Sequence, residues 1–253
     1  MNTVCVRNVE IGAGIPKICV PIVGQTKEEI IAEAQTFHSI PADVAEWRAD
    51  WFEGVFDCFQ VLDVLQRLRE ALGEIPLLFT FRTAKEGGEK SIEPEAYALL
   101  NFQAIQSGYV DLVDVEALMG DEIVRTTIDV AHAAGVKVVA SNHDFSGTPD
   151  QADLVDRLRK MQDLGADLPK IAVMPQSKKD VLTLLAATEE MATQYADRPI
   201  ITMSMSGSGI ISRLCGEVFG SALTFGAARR ASAPGQMDVH DLSTILNLIH
   251  GAL

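Results

Sequence analysis

The chain has little cysteine, and its cysteines are widely separated. The 253 residues contain four, Cys5, Cys19, Cys58 and Cys215, and no two of them form a Cys-x-x-Cys pair. This spacing excludes a zinc ribbon and a thioredoxin-type redox motif. It is also unlike the dense disulfide framework of small secreted proteins. We therefore expect reduced thiols and a cytoplasmic protein.

Positive charge is also scarce. The chain has 21 lysine and arginine residues against 35 aspartate and glutamate residues, which gives a formal net charge of −14 at pH 7. Binding to a nucleic-acid backbone or to an anionic membrane surface requires a basic face, so we expect neither partner. No segment approaches the roughly 18 apolar residues that a membrane-spanning helix needs. We also expect no signal peptide, because the first twenty residues lack its basic and apolar regions.

Common nucleotide and metal motifs are missing as well. The chain has no Gly-x-x-x-x-Gly-Lys-[Ser/Thr] motif, and no Gly-x-Gly-x-x-Gly follows its first predicted strand. These absences argue against a P-loop nucleotide site and a dinucleotide site. The histidine, aspartate and glutamate residues do not show the spacing of metal ligands, so we predict no metal site.

The chain does contain a regular alternation of strand-like and helix-like segments. Helical segments follow eight predicted strands, at Lys17–Val23, Asp43–Asp50, Pro76–Arg82, Leu112–Glu116, Val136–His143, Leu168–Met174, Pro199–Ser206 and Ser221–Ala227. Units of about 30 residues are typical of βα repeats. They predict a (β/α)₈ TIM barrel that forms one domain over residues 1–253. A doubly wound open sheet is the alternative, and residues 1–14 are predicted to form a short hairpin that covers one end of the barrel.

Charged residues occupy strand positions where core side chains are expected. On the second predicted strand, Glu46 and Arg48 share the face opposite Ala45 and Trp47. If the apolar face packs under helices, these charges point into the barrel; the alternative is an exposed edge strand. The next three strands end with Arg82, Glu116 and His143. Because barrel active sites form at the carboxyl ends of strands, the pattern predicts a site there.

Lys170 is the most informative of these residues, because it lies in the apolar run Leu-Pro-Lys-Ile-Ala-Val-Met. Lysine is almost never fully buried unless it is paired. One interpretation is a side chain that extends to solvent from the start of a strand. The other is a buried amine, whose ammonium form is disfavoured by burial. A neutral amine is the nucleophile that forms Schiff bases with ketones.

A Schiff-base lysine needs a partner that moves protons. His143 alone of the histidines ends a predicted strand, and an imidazole is suited to take up and return a proton near neutral pH. Glu86 lies on the glycine-containing loop after the third strand and is the first candidate to orient His143. Glu116 is the second candidate.

Two segments in the last quarter of the chain predict an anion-binding site. Residues 206–213 run from the seventh strand into a helix that carries Arg213, and residues 231–236 follow the eighth strand. Barrels often bind anions after these two strands, where backbone amides and helix N-termini favour a phosphate or carboxylate.

Six segments in this order resemble the type I 3-dehydroquinate dehydratases, the Schiff-base class of these enzymes. They are Glu-Trp-Arg-Ala-Asp (46–50), Phe-Arg-Thr-Ala-Lys-Glu-Gly-Gly-Glu (81–89), Ser-Asn-His-Asp-Phe (141–145), Pro-Lys-Ile-Ala (169–172), Ser-Gly-Ser-Gly-Ile-Ile-Ser-Arg (206–213) and Ala-Ser-Ala-Pro-Gly-Gln (231–236). The resemblance runs from the N-terminal hairpin to the C-terminal helix. It implies a barrel enzyme that is usually a homodimer.

The resemblance also implies the reaction, which is syn removal of water from 3-dehydroquinate to give 3-dehydroshikimate in the shikimate pathway. Lys170 would form the Schiff base, His143 would move the proton, and Glu86 would orient His143. Six further residues would bind the substrate: Glu46, Arg48 and Arg82 its hydroxyls, and Arg213, Ser232 and Gln236 its carboxylate. No metal or organic cofactor is implied, because the lysine supplies the electron sink.

Two other functions fit parts of the pattern. A Schiff-base aldolase on a similar barrel would use the same lysine but would bind a phosphate and cleave a carbon–carbon bond. A non-catalytic carboxylate-binding barrel would bind ligand without turnover. The intact set of Lys170, His143 and Glu86 favours an enzyme.

Overall fold

Strands and helices alternate along the chain in the computed structural model, which describes residues 2–228 and 232–253. The strands of these residues are β1 (Val4–Val6), β2 (Val9–Ile11), β3 (Lys17–Ile22), β4 (Val44–Arg48), β5 (Leu77–Thr80), β6 (Leu112–Glu116), β7 (Lys137–Asp144), β8 (Leu168–Val173), β9 (Ile201–Ser204), β10 (Leu223–Ala227) and β11 (Met237–Asp238). The helices are α1 (Lys27–Ala34), α2 (Cys58–Leu72), α3 (Pro94–Gln106), α4 (Asp121–Ala133), α5 (Gln151–Asp163), α6 (Lys178–Glu190), α7 (Ile210–Leu214), α8 (Gly216–Phe219) and α9 (Val239–His250).

The central sheet curls into a barrel. Strands β3 to β9 pair in chain order, and β10 pairs in parallel with β3. The ring closes between β9 and β10, where Ile200 and Ser221 form a parallel bridge and the amide of Ala222 donates to the Ile200 carbonyl at 2.8 Å. The predicted (β/α)₈ barrel is confirmed, and the open doubly wound sheet is wrong.

Both faces of the barrel strands are buried, as expected for a parallel sheet that helices cover. On the outer face, Trp47 packs against Phe79 with ring centroids 5.6 Å apart, in a cluster with the inward faces of the helices. Glu46 and Arg48 are buried on the opposite face. The exposed-edge interpretation is wrong, because β4 pairs with β3 and with β5.

The N-terminal hairpin closes one end of the barrel, as predicted. Strands β1 and β2 pair antiparallel, and Val4, Val6 and Ile11 join the apolar cluster inside the barrel. In the turn of the hairpin, Arg7 Nε donates to Asp111 Oδ1 at 2.6 Å. Because Asp111 directly precedes β6, the hairpin covers the end at which the strands begin and leaves their carboxyl ends open.

The helix that the sequence places after the seventh barrel strand is divided. It forms α7 and α8, which adjoin at Cys215, and Arg213 lies on α7. Among the described residues, none of the helices combines the length and apolar character that crossing a membrane would require.

Candidate active site

A cavity of about 480 Å³, counting the space open to solvent, lies at the carboxyl-terminal end of the barrel. It brings together side chains that are distant in the sequence, because parallel strands deliver their carboxyl ends to the same rim. The site residues that we predicted all line it: Glu46, Arg48, Arg82, Glu86, His143, Lys170, Arg213, Ser232 and Gln236. Residue 231, the first of the predicted segment 231–236, lies outside the described residues.

Lys170 lies in the middle of β8 and points into the barrel. It is 3% exposed, so the interpretation as a lysine that extends to solvent is wrong. Its Nζ lies 3.3 Å from Asp114 Oδ2 and 4.5 Å from the centroid of the Phe225 ring. The amine therefore sits among the barrel-filling side chains, with a carboxylate and an aromatic face as neighbours.

Arg82 holds together the charges beside this lysine. Its Nη2 donates to Asp114 Oδ1 at 2.7 Å, and its Nη1 donates to Glu116 Oε1 and to the Ser141 hydroxyl, both at 3.0 Å. Burial opposes ionisation of Asp114, but the positive charges of Arg82 and Lys170 outweigh it and hold the pKa of Asp114 below its ordinary value. Asp114 is therefore a carboxylate that both cations share.

His143 and Glu86 form a hydrogen-bonded pair on the rim of the cavity. His143 Nδ1 lies 3.0 Å from Glu86 Oε2, and the backbone amide of His143 donates to the same oxygen at 2.8 Å. The other candidate, Glu116, instead accepts from the Thr83 amide and hydroxyl at 2.8 Å and from Arg82. The geometry therefore selects Glu86 as the partner of His143.

Burial changes the proton affinity of both members of this pair. It raises the pKa of Glu86 to about 7, against the opposing charge of Arg82. It lowers the pKa of His143 well below its ordinary value, and the positive charges of Arg82, Lys170 and Arg48 reinforce this. His143 is therefore neutral at pH 7. When Glu86 is ionised, it holds a proton on Nδ1, so Nε2 is free to act as a base.

The loop that carries Glu86 approaches β7 closely at a glycine. Gly87 has a φ of 83°, and a Cβ at this position would overlap the ring of Phe145. Only glycine adopts this backbone conformation readily and permits the contact. The close packing places the carboxylate of Glu86 against the end of β7.

Arg213 has a different environment from Arg82. It is 2% exposed, its Nη2 donates to the Pro234 carbonyl at 3.3 Å, its Nη1 faces the Met203 sulfur at 3.4 Å, and its Nε has no partner. Among the described residues, no carboxylate pairs with it. Burial lowers its pKa to about 10, which still leaves it charged at neutral pH. Since buried charges are normally paired, this guanidinium is suited to bind an anion.

The remaining predicted residues lie between these two arginines. Arg48 makes a bidentate pair with Asp50, at 2.8 Å for both bonds, and its Nη1 donates to the Ser232 carbonyl at 3.4 Å. Glu46 accepts from the Thr80 hydroxyl at 3.0 Å. Gln236 binds both the amide of Ser232, at 2.8 Å, and its hydroxyl, at 3.0 Å, so these two side chains form one unit at the rim.

The sequence did not nominate two residues that contact Lys170. Asp114 carried a signal, since it shares a strand face with Glu116 and both are charged where a core residue is expected. Phe225 carried no such signal, because a phenylalanine in an apolar strand is ordinary core material.

The fold and the cavity together define a class of protein. A buried lysine, a hydrogen-bonded His–Glu pair and an arginine that pairs with no carboxylate among the described residues lie together at the carboxyl-terminal end of a (β/α)₈ barrel. This combination is typical of barrel enzymes that form a Schiff base with a carbonyl substrate.

Comparison with known proteins identifies the family. The family model described as type I 3-dehydroquinase matches residues 18–252, and the chain belongs to this family. A 3-dehydroquinate dehydratase of Clostridioides difficile (strain 630) is 56% identical over 248 residues, which are 98% of this chain and 97% of that protein. One from Salmonella agona (strain SL483) is 54% identical over 252 residues, 100% of each.

Solved structures agree with this assignment. The crystal structure of a type I 3-dehydroquinate dehydratase from Clostridium difficile, with covalently modified comenic acid, superposes with a TM-score of 0.97 at 56% identity and covers 100% of this chain and 99% of its own. The enzyme from Enterococcus faecalis gives a TM-score of 0.92 at 48% identity, over 97% of this chain and 98% of its own.

Proposed function

We propose that this chain is a hydro-lyase that converts 3-dehydroquinate to 3-dehydroshikimate, in the shikimate pathway of aromatic amino acid biosynthesis. The observation that carries the proposal is the placement of Lys170 and the His143–Glu86 pair in one cavity. Membership of the type I family supports it.

The reaction begins when Lys170 gives up a proton and its amine attacks the substrate ketone. A carbon–nitrogen bond forms, the carbonyl oxygen leaves as water with that proton and one more from the nitrogen, and the product is a protonated imine. This cation withdraws electrons from the neighbouring carbon and so acidifies its proton. The lysine thereby performs the function of an electron sink, and no metal or organic cofactor is required.

His143 then removes the acidified proton. Its Nδ1 is bonded to Glu86, so the free Nε2 accepts the proton and His143 becomes an imidazolium. The electron pair released from the carbon–hydrogen bond passes into the imine and then expels the hydroxyl group, which takes the proton from His143 as it leaves as water. Hydrolysis of the imine releases the enone product and restores the amine.

Two groups of side chains orient the substrate in this proposal. Arg213 binds the carboxylate, which supplies the anion that its buried guanidinium otherwise lacks among the described residues, and the Ser232–Gln236 unit assists. Glu46, Arg48 and Arg82 bind the ring hydroxyls. Arg48 and Arg82 are held in place by Asp50 and Asp114, so they meet the substrate with little loss of side-chain freedom.

Borohydride trapping tests the chemistry directly. With substrate or product present, reduction should leave a stable adduct on Lys170, found by mass spectrometry of the digested protein. Lys170→Ala should show no adduct and no dehydration, measured by the ultraviolet absorbance of the conjugated product, while circular dichroism shows an intact fold. A well-folded Lys170→Ala variant with near-wild-type turnover would refute the assignment.

The same assays separate the alternative functions. A Schiff-base aldolase would cleave sugar phosphates and leave 3-dehydroquinate unchanged. A non-catalytic carboxylate-binding barrel would bind 3-dehydroquinate without producing the enone.

We further propose that residues 1–253 form one catalytic domain and that the protein is a cytoplasmic homodimer. Several large apolar side chains are exposed on the neighbouring helices α6 to α9: Leu182, Ile211, Val218 and Leu248. Apolar surface of this kind is often buried between subunits. Sedimentation of the wild-type protein and of a Val218→Glu variant tests whether this face joins two copies.

A further inference from the structure

The carboxylate of Glu86 accepts a hydrogen bond from a β7 amide that lies beyond the end of the neighbouring strand β6. Strand β6 ends where Glu116 pairs with Ser141, and the last bond from that side is donated by the Ala117 amide to the Ser141 carbonyl at 2.8 Å. The next amide on this edge belongs to His143, and it donates to Glu86 Oε2. One oxygen of Glu86 therefore binds both the backbone and the ring of His143.

The second oxygen of Glu86 accepts a hydrogen bond from a side chain on the outer face of the barrel. Asn142 Nδ2 donates to Glu86 Oε1 at 3.3 Å, and Asn142 Oδ1 accepts from Arg157 Nη1 at 2.8 Å. A guanidinium can only donate hydrogen bonds, so the amide oxygen must face Arg157. The amide NH₂ is then directed at Glu86, and the orientation of Asn142 follows from chemistry alone.

Arg157 is hydrogen-bonded to a residue of its own helix, α5. Asp153 accepts from its Nε at 3.2 Å and its Nη2 at 2.7 Å, and Asp144 accepts from Nη1 at 3.4 Å. Arg157 and Asn142 line a second, open cavity of about 1110 Å³, and Glu86 and His143 form a wall common to this cavity and the substrate cavity. Neither Arg157 nor Asn142 lines the substrate cavity.

We propose that Arg157 and Asn142 are positioning residues, which hold an N–H donor against the side of Glu86 that faces away from the substrate cavity and so favour its ionised form and align it with His143. The proposal rests on the function proposed above. Loss of either residue removes the donor or frees it to rotate, so Glu86 takes up a proton from solvent at a higher pH. Protonated Glu86 donates to Nδ1 of His143, the ring proton then occupies Nε2, and His143 can no longer accept a proton there, without any change in contact with substrate.

The most direct test is Asn142→Asp, which is nearly isosteric. It replaces the donor by a second carboxylate beside Glu86, and adjacent like charges raise the pKa of one of the pair. The acid limb of the kcat/KM profile should move to higher pH by about one unit, which is roughly a tenfold loss on that limb, with recovery at alkaline pH. Arg157→Gln should lower kcat, and Arg157→Lys should restore part of it, because lysine keeps a charged donor.

The charged groups that face the Glu86–His143 pair from other elements are unchanged in these variants: Arg48 of β4, Arg82 after β5, Glu116 of β6, and Lys170 of β8. KM and borohydride trapping on Lys170 should also remain as in the wild type. These readouts separate a positioning role from general damage to the fold.

Arg67→Gln is the matched control. Arg67 makes the same kind of pair with a residue one helical turn earlier, with its Nε 3.1 Å from Asp63 Oδ1 on α2, and it does not line either cavity. Its pH profile and kcat should equal those of the wild type.

An unchanged acid limb in well-folded Asn142→Asp, with wild-type kcat in Arg157→Gln, would overturn the inference. If Arg157→Gln does not fold, Asn142→Asp decides alone. Absence of dehydration and of trapping in the wild-type protein would instead refute the proposed function, so the two failures are distinguishable.

Discussion

Arg82 and Arg213 lie in the same cavity, are buried to nearly the same extent and have opposite surroundings. Arg82 binds Asp114, Glu116 and Ser141. Arg213 is bonded only to a backbone carbonyl and a thioether among the described residues. The difference shows that burial of a charge does not by itself reveal its role. An arginine paired with carboxylates holds those charges in place, whereas one without such a pair has its full charge available to an anionic ligand.

The largest effect should come from Arg82→Met. This change removes the cation that pairs with Glu116 and leaves Asp114 with Lys170 alone, and breaking a buried pair in this way costs about 3–5 kcal/mol of stability. The free energy of unfolding, measured by urea titration, should fall by that amount, and dehydration should be lost as well. A fall of less than about 1 kcal/mol, the level of an exposed pair, would mean that the network does not organise the site.

Arg213→Met should separate binding from stability. The change removes a buried charge that has no carboxylate partner in the described part of the chain, so the free energy of unfolding should stay the same or rise. Removing the charge proposed to bind the substrate carboxylate should raise KM, for a loss of about 2–3 kcal/mol in kcat/KM. A destabilised variant with unchanged KM would show that the comparison with Arg82 is mistaken.

The smallest expected effect is on the pH dependence of kcat/KM. It depends on the Glu86–His143 pair, which lies near Arg82. The base form of the pair requires ionised Glu86 and neutral His143, and burial raises the pKa of Glu86 to about 7. As pH falls from 8 to 6, kcat/KM should decline, and it should approach a tenfold loss per pH unit below about 7. In Glu86→Gln, kcat/KM should be low and should no longer decline as pH falls through this range. If the decline were unchanged in that variant, another group would be responsible for the titration.

Prediction from the sequence was most accurate where a residue pattern depends on local structure alone. The period-two alternation on Asp43–Asp50 predicted which face carries charge, and the structure confirms it as β4 with Glu46 and Arg48 inside. The strand ends earlier than predicted because the chain enters a 3-10 turn at Ala49–Trp51. A strand end depends on where its neighbours stop, which the segment itself does not encode.

The site residues were recognisable because their types are unusual for their positions. A lysine in an apolar run and a histidine at a strand end are exceptions to the rule that strands fill a core. Asp114 is charged where a core residue is expected, but the sequence assigns it no role, since its partners Lys170 and Arg82 come from other strands. Neither Phe225 nor the hydrogen-bonded link from Arg157 to Glu86 could be predicted, because neither departs from ordinary sequence patterns.

By itself the sequence determined the βα rhythm and the inward-facing charges, and it predicted the candidate site residues, because these follow from periodicity and residue chemistry. Only the tertiary structure decided which charges are satisfied. Hydrogen bonds such as Arg82 to Asp114, or Asn142 to Glu86, join residues from separate strands and loops, and closure of the barrel sets their distances. The same closure leaves Arg213 without a carboxylate among the described residues, and this is the ground for proposing it as the group that binds the substrate anion.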